Sequence, residues 1–299
     1  MQAPLVVGLG RIGVAICGLG PNLPGVDAAP TELAALATTP APGIAVALRA
    51  ALRLGCRARA VGSHGADLLG QLARSALRDA GIDTELMRAV GTSACDIVQV
   101  AGDGKLRTHY RGDRGELVSS DPRTALQGAA ILLIDGSEPR DQLVVAEMAK
   151  NSKVPVIFDV SELREGTSDL IAACDILIAS EREASELAPR GELTDALAEL
   201  IQLGPRAVVI TLGAEGAIGR HGDQVSRIPA FPNEDMLDSY GAGSVFHGAF
   251  AAALLSELPF ARCIELASAA ASLSLRELGP WSAMPSREDV LALTRTRRA

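Results

Sequence analysis

The stretch Asp238-Ser-Tyr-Gly-Ala-Gly-Ser-Val-Phe-His-Gly-Ala-Phe250 lies just ahead of a long apolar run, so it reads as a loop feeding the N-terminus of a buried helix. Gly241, Ala242 and Gly243 let successive backbone N–H groups turn toward an anion, and the helix dipole adds to the attraction. Ser244 follows, and its uncharged hydroxyl is a poor proton acceptor near neutral pH. Upstream, Thr211-Leu-Gly-Ala-Glu-Gly216 is a strand end running into a glycine turn, suited to enter a hairpin. Glu183, in Ser180-Glu-Arg-Glu183 after another strand, is a loop-borne carboxylate. It suits a solvated helix N-terminus, where a carboxylate complements the dipole. Asp135 and Asp159 each close a strand, where doubly wound sheets place either ligand groups or caps.

These residues need a scaffold of parallel strands. Short apolar runs rich in Ile, Val and Leu, at Leu5–Leu9, Arg57–Gly62, Ala129–Asp135, Val154–Asp159, Ile176–Ala179 and Ala207–Leu212, alternate with helical patterns. Strands apolar on both faces are the mark of a parallel sheet covered by helices. Helices are expected over Pro42–Leu54, ended by Gly55, and over Asp67–Ala80, ended by Gly81. Three more close the chain at Gly243–Leu255, Phe260–Leu275 and Ser286–Thr294, the last capped by Ser286 with Asp289 at its third position. Two hairpins are expected, Ala94–Tyr110 turning at Gly102-Asp-Gly104 and Ala217–Ala230 turning at His221–Gln224. Gly18–Thr39 is rich in Pro, Gly and Ala and poor in strand formers. Gly8-Leu-Gly-Arg-Ile-Gly13 spells a dinucleotide fingerprint, but Val14–Pro24 does not support the crossover helix that it requires.

The Thr-x-Gly-x-x-Gly turn at Thr211, followed at this distance by Gly241-Ala-Gly243 and preceded by Glu183, resembles the ribokinase (PfkB) family of carbohydrate kinases. The resemblance covers nearly the whole chain and is strongest in the C-terminal half. It implies an α/β fold, a ribokinase-like three-layer α/β/α sandwich with a mostly parallel central sheet, as a single domain over residues 1–299. A small, reduced β-lid would come from segments near 14–40 and 92–112. It further implies ATP and Mg²⁺ as cofactors. Thr211, Gly213, Gly216, Asp238 and Ala270 would hold the nucleotide, Glu183 the metal, and Gly241, Ala242 and Gly243 the anion. Ala15 (with Arg11 as the other alignment), Gly43 and Arg107 would face the sugar.

The same comparison exposes departures. In the family an aspartate after Gly-Ala-Gly takes the proton of the attacking sugar hydroxyl, and here the position is Ser244. The family's first-strand aspartate becomes Ala15, its Gly-Gly-x-x-x-Asn loop becomes Thr38–Ala45, and its Gly-Asp-Asp becomes Gly65-Ala-Asp67. An arginine-bearing loop near the base becomes Gly279-Pro-Trp-Ser-Ala283, with Trp281 either on the base or packed on the last helix. A degenerate kinase is therefore expected, with phosphorylation impaired or lost and a nucleotide- or anion-binding or regulatory role retained. An active sugar or nucleoside kinase with a displaced base, such as Asp238 or another carboxylate, is the enzyme alternative. A dimerisation module without ligand is the third.

Composition narrows the partners. The 299 residues are 48% hydrophobic and 3% aromatic, so the core rests on Ala, Val, Leu and Ile. A net charge of −8 without a basic cluster argues against nucleic acid and anionic membranes; the resemblance implies a small-molecule sugar or nucleotide, with homodimerisation open. Cys17, Cys56, Cys95, Cys174 and Cys263 are odd in number and widely spaced, which suits reduced thiols in a cytoplasmic protein.

Overall fold

The computed structural model describes residues 2–20, 32–41, 43–101, 121–189 and 191–297, and the backbone alone of 106–111. Its strands are β1 (Leu5–Leu19), β2 (Ala35–Ala41), β3 (Arg57–His64), β4 (Asp83–Ala89), β5 (Cys95–Val100) and β6 (Leu106–Arg111). Then follow β7 (Ala129–Ile134), β8 (Val156–Val160), β9 (Ile176–Ser180), β10 (Ala207–Thr211), β11 (Ala217–His221) and β12 (Gln224–Ile228). The main sheet runs β12-β11-β10-β9-β8-β7-β1-β3-β4, parallel from β10 to β4, with the β11–β12 hairpin antiparallel at one edge.

Side chains alternate between two cores along each strand. On β7, Ile131 and Leu133 enter one cluster and Leu132 and Ile134 the other; on β8, Ile157 opposes Val156, Phe158 and Val160. Helices α1 (Ile44–Arg53), α2 (Leu68–Asp79), α8 (Ala242–Leu255), α9 (Phe260–Leu273) and α10 (Arg287–Thr296) cover the first face. Helices α3 (Pro122–Ala125), α4 (Pro139–Asn151), α5 (Thr167–Ala173), α6 (Glu181–Leu187) and α7 (Leu193–Gln202) cover the second. Burial on both faces is why these strands carry no polar alternation.

The first strand differs from the expectation of Leu5–Leu9, for it runs unbroken to Leu19. Its first half lies between β3 and β7; its second half pairs with β2 antiparallel and β5 parallel. Together with β6, these strands form a small layer standing over the carboxyl ends of the main sheet, and β2 lies in a segment expected to be poor in strands. Pairing to β1 supplies what the sequence Ala-Leu-Ala-Thr-Thr-Pro-Ala lacks, and Pro40 is tolerated because β2 pairs on one side only. The Gly102–Gly104 turn, Pro42 and residues 21–31 lie outside the described residues. The glycines of Gly8-Leu-Gly-Arg-Ile-Gly13 serve packing within the strand: a Cβ on Gly8 would stand 2.7 Å from Ile44 Cγ2 of α1.

Candidate active site

Helix α8 is the main organiser of the site. Gly241 is its N-cap, at φ 80° and ψ −1°, a left-handed conformation that glycine adopts without strain. A Cβ there would also meet Pro280 at 2.6 Å. No side chain caps this end, so the N–H groups of the first turn, at Gly243 and Ser244 among them, point out of the helix without intrahelical acceptors. The helix is held close to α1, because a Cβ on Gly248 would fall 1.9 Å from Ala47 O.

Two cavities meet at this turn. One, of about 310 Å³, lies below the lid, with Arg11, Asp96, Asp135, Asp159, Glu183 and Ser244 on its walls. The other, of about 660 Å³, is walled by Gly213, Gly216, Phe231, Phe246 and Ala271 among others. Thr211, Ser239 and Gly243 line both. A Cβ added to Gly213 or Gly243 would meet nothing within 4 Å, so the missing side chains leave open room on the cavity side. The anion-directed turn thus stands where one space opens into the other.

The carboxylates of the smaller cleft differ in how they are held. Asp135 accepts from Ser137 N at 3.0 Å and Gln142 Nε2 at 2.8 Å. Glu183 accepts from the Ser180 hydroxyl and pairs with the Arg182 guanidinium; Ser180 in turn caps α6 by accepting from Arg182 N at 3.2 Å. Asp96 accepts from the Tyr240 hydroxyl at 2.7 Å, which links lid strand β5 to the anion-directed turn. Asp159 has no hydrogen-bond donor among the described residues, and His247 Nδ1 lies 3.7 Å from its Oδ2. Burial, followed by the charges of Asp135 and Glu183, pushes the Asp159 carboxyl up to about 8. Burial pushes the His247 imidazole down to about 3, so it is neutral. Among the described residues no group of three or more His, Cys, Asp or Glu could hold a metal by itself. Glu183 fits Mg²⁺ as the single protein carboxylate of an ion otherwise held by phosphate oxygens and water.

The sequence pattern of pfkB family carbohydrate kinases matches residues 43–287. The chain belongs to the pfkB family of carbohydrate kinases. Ribokinase from Arabidopsis thaliana is 30% identical over 250 residues, 78% of this chain and 66% of that protein. Ribokinase from Haemophilus influenzae is 28% identical over 255 residues, 81% of this chain and 83% of that one. The structure of the Arabidopsis ribokinase complexed with ribose and ATP superposes with a TM-score of 0.85 at 26% identity, covering 99% of both chains. The ribokinase-like α/β fold expected from the sequence is the fold of the protein.

Within this pfkB-family frame, the site residues named from sequence distribute unevenly. Gly241, Gly243, Ser244, Gly43, Thr211 and Glu183 line the smaller cleft, while Thr211, Gly213, Gly216, Ala242 and Gly243 line the larger cavity. Three others lie elsewhere. Ala15 is packed against Cys17, Ala41 and Val98 under the lid, and it is Arg11, four residues earlier, that faces the cleft. Asp238 is buried away from both cavities, accepting from Tyr240 N and Gly279 N, each at 2.8 Å; it holds the loop rather than facing a ligand. Ala270 faces the core and Ala271 the cavity, since one residue on a helix is a rotation of ~100°. Arg107 lies on β6, of which only the backbone is described. Trp281 packs beneath the Arg49 guanidinium of α1, 4.5 Å from its ring centre, and is absent from the lining of either cavity. Asp67 caps α2, accepting from Gly70 N and Ser93 N.

The sequence reading did not single out Asp96 or Tyr240. A signal was available at Asp96, a carboxylate at an inward position of the alternating strand Cys-Asp-Ile-Val-Gln-Val.

Proposed function

We propose that this protein binds Mg·ATP in the larger cavity and a sugar in the acidic cleft, and that it transfers phosphate to a sugar hydroxyl slowly. The observation that carries this reading is the sharing of Thr211, Ser239 and Gly243 between the two cavities. A γ-phosphate seated on the first turn of α8 would stand between nucleotide and acceptor, and phosphoryl transfer depends chiefly on such positioning and on charge stabilisation. Asp96, Asp135 and Asp159 offer acceptors for sugar hydroxyls, and Glu183 a place for Mg²⁺. The relatives named above, ribokinases, support the choice of ATP and a pentose as first ligands to try.

Ser244 sets the rate. A hydroxyl at that position cannot take the acceptor's proton near neutral pH, and general-base help is worth roughly 10²–10⁴ in rate. Calorimetry with Mg·ATP, followed by a coupled ADP-release assay over pentoses and hexoses, tests the reading. Saturable Mg·ATP binding with slow, sugar-dependent ADP release is expected, and Ser244→Asp should raise that release. A flat titration with Mg·ATP would overturn it; binding without ADP release on any sugar would leave a regulatory nucleotide-binding protein.

A further inference from the structure

We propose that Asp159 is the proton acceptor for phosphoryl transfer in this cleft, standing in for the carboxylate absent at Ser244. The inference rests on the reading of the site as a slow sugar kinase. Asp159 sits at the carboxyl end of β8 and lines the acidic cleft together with Ser244. Its Oδ2 lies 3.7 Å from His247 Nδ1, and His247 follows Ser244 by three residues on α8. Residues three apart share a helix face, with Cβ atoms ~5–6 Å apart. The Asp159 carboxylate therefore stands about one helical turn from the residue that a base would otherwise occupy.

Each of the other carboxylates on the cleft wall already accepts at least one hydrogen bond. Tyr240 donates to Asp96, Ser137 and Gln142 donate to Asp135, and Ser180 and Arg182 hold Glu183. Among the described residues no donor occupies the Asp159 oxygens, which leaves lone pairs to receive a proton. The surroundings of Asp159 also favour proton uptake. Burial and the nearby negative charges of Asp135 and Glu183 raise its carboxyl to about 8, so the ionised, proton-accepting form grows as pH rises toward that value. His247, neutral and 1% exposed, supplies no competing charge.

In the step itself, the sugar hydroxyl oxygen forms a bond to the γ-phosphorus of ATP. The bond from that phosphorus to the β,γ-bridging oxygen breaks, and its electron pair leaves on ADP. The hydroxyl proton passes to the Asp159 carboxylate and from there to solvent. Atoms and charge balance with ATP and the sugar as the only reactants.

The test compares the wild-type chain with Asp159→Asn, Ser244→Asp and the double variant, each read by calorimetric Mg·ATP affinity and by sugar-dependent ADP release. Asp159→Asn is nearly isosteric and should keep the Mg·ATP affinity within about threefold while lowering ADP release by at least ~10²-fold. Adding Ser244→Asp to Asp159→Asn should restore release to near that of Ser244→Asp alone, because the new carboxylate makes the old one dispensable. Wild-type turnover that Asp159→Asn leaves unchanged overturns the assignment and spares the kinase reading. A double variant that binds Mg·ATP but stays inactive while Ser244→Asp is active overturns it too, since Asp159 would then serve some other purpose. Mg·ATP binding without any wild-type turnover refutes both the assignment and the slow-kinase reading.

Discussion

Asp159 and His247 are packed together with their charges suppressed, and this makes the stability of the ligand-free chain depend on pH in a distinctive way. Burial and the charges of Asp135 and Glu183 raise the Asp159 carboxyl from 3.8 to about 8, and burial lowers the His247 imidazole from 6.5 to about 3. Between about pH 4 and 6.5 the folded pair holds one proton, on Asp159, and the unfolded pair also holds one, on His247, so the pair adds no slope. Above 6.5 the unfolded pair holds none, and stability falls as pH rises until about 8, at 1.36 kcal/mol per unit, or about 2 kcal/mol over the window. Asp159→Asn removes one half of this balance. The variant keeps only the His247 contribution, which is present above 6.5 and is lost as pH falls toward about 3. Subtracting the two curves cancels every group except Asp159. The wild-type chain should therefore lose about 1.4 kcal/mol per pH unit relative to Asp159→Asn, or about 2.7 kcal/mol between pH 5 and 7. Urea unfolding in magnesium-free buffer at several pH values, with the m-value checked for constancy, measures the difference. Two curves that run parallel from pH 5 to 8 would refute a raised Asp159 carboxyl and the burial argument behind it.

Gly243→Ala separates fold from binding: its Cβ meets nothing within 4 Å and replaces a helical glycine, so stability should rise by roughly 0.5–1 kcal/mol while Mg·ATP affinity falls in calorimetry. Gly241→Ala should do the opposite to the fold, losing about 1–3 kcal/mol in thermal unfolding from its left-handed backbone and the Pro280 clash. Tyr240→Phe removes the donor to Asp96 and should lower stability by about 1 kcal/mol, with a higher sugar KM if the lid strand carries part of the sugar site. Asp238→Ala strips the acceptor from two loop N–H groups, Tyr240 and Gly279, and should cost about 1–3 kcal/mol in denaturant unfolding.

The parallel sheet was legible because its strands are short, apolar and bounded by turns. Ala129–Ile134, Val156–Val160, Ile176–Ser180 and Ala207–Thr211 are found within two residues of their expected limits. The elements that escaped are those whose composition is set by tertiary pairing. β1 was expected to end at Leu9, ahead of the glycines of the dinucleotide-like fingerprint, yet Gly10 and Gly13 lie within the strand and let Ile44 and Ala94 approach it. β4, with Asp83, Glu85 and Arg88 among its seven residues, carries the polarity of an edge strand and lacks the apolar run that marks its neighbours. In the site, the backbone features were readable, since glycine spacing encodes conformation directly. Side-chain partners were not, because Arg11, Asp96, Asp159 and Tyr240 are brought together from four separate segments, and nothing in their local sequence specifies the meeting.

The turn at Gly241 is held from several directions at once, and this bears on why its backbone persists while Ser244 stands where a base is expected. Asp238 ties the turn to Gly279 at 2.8 Å, Pro280 fills the space in which a Gly241 side chain would stand, and Tyr240 reaches Asp96 on the lid. Arg49 of α1 pins the same 279–281 loop by donating to Trp281 O at 3.3 Å and lying over its ring. A loop so constrained loses little further entropy when it receives a phosphate, so its contribution to binding does not depend on the identity of residue 244. The base is a different kind of part: it must only reach a proton, and any carboxylate on the facing wall within reach can serve. Substitution at Ser244 is therefore tolerable in a way that substitution at Gly241 is not, and rate is the quantity that should respond to it, with nucleotide affinity largely unmoved.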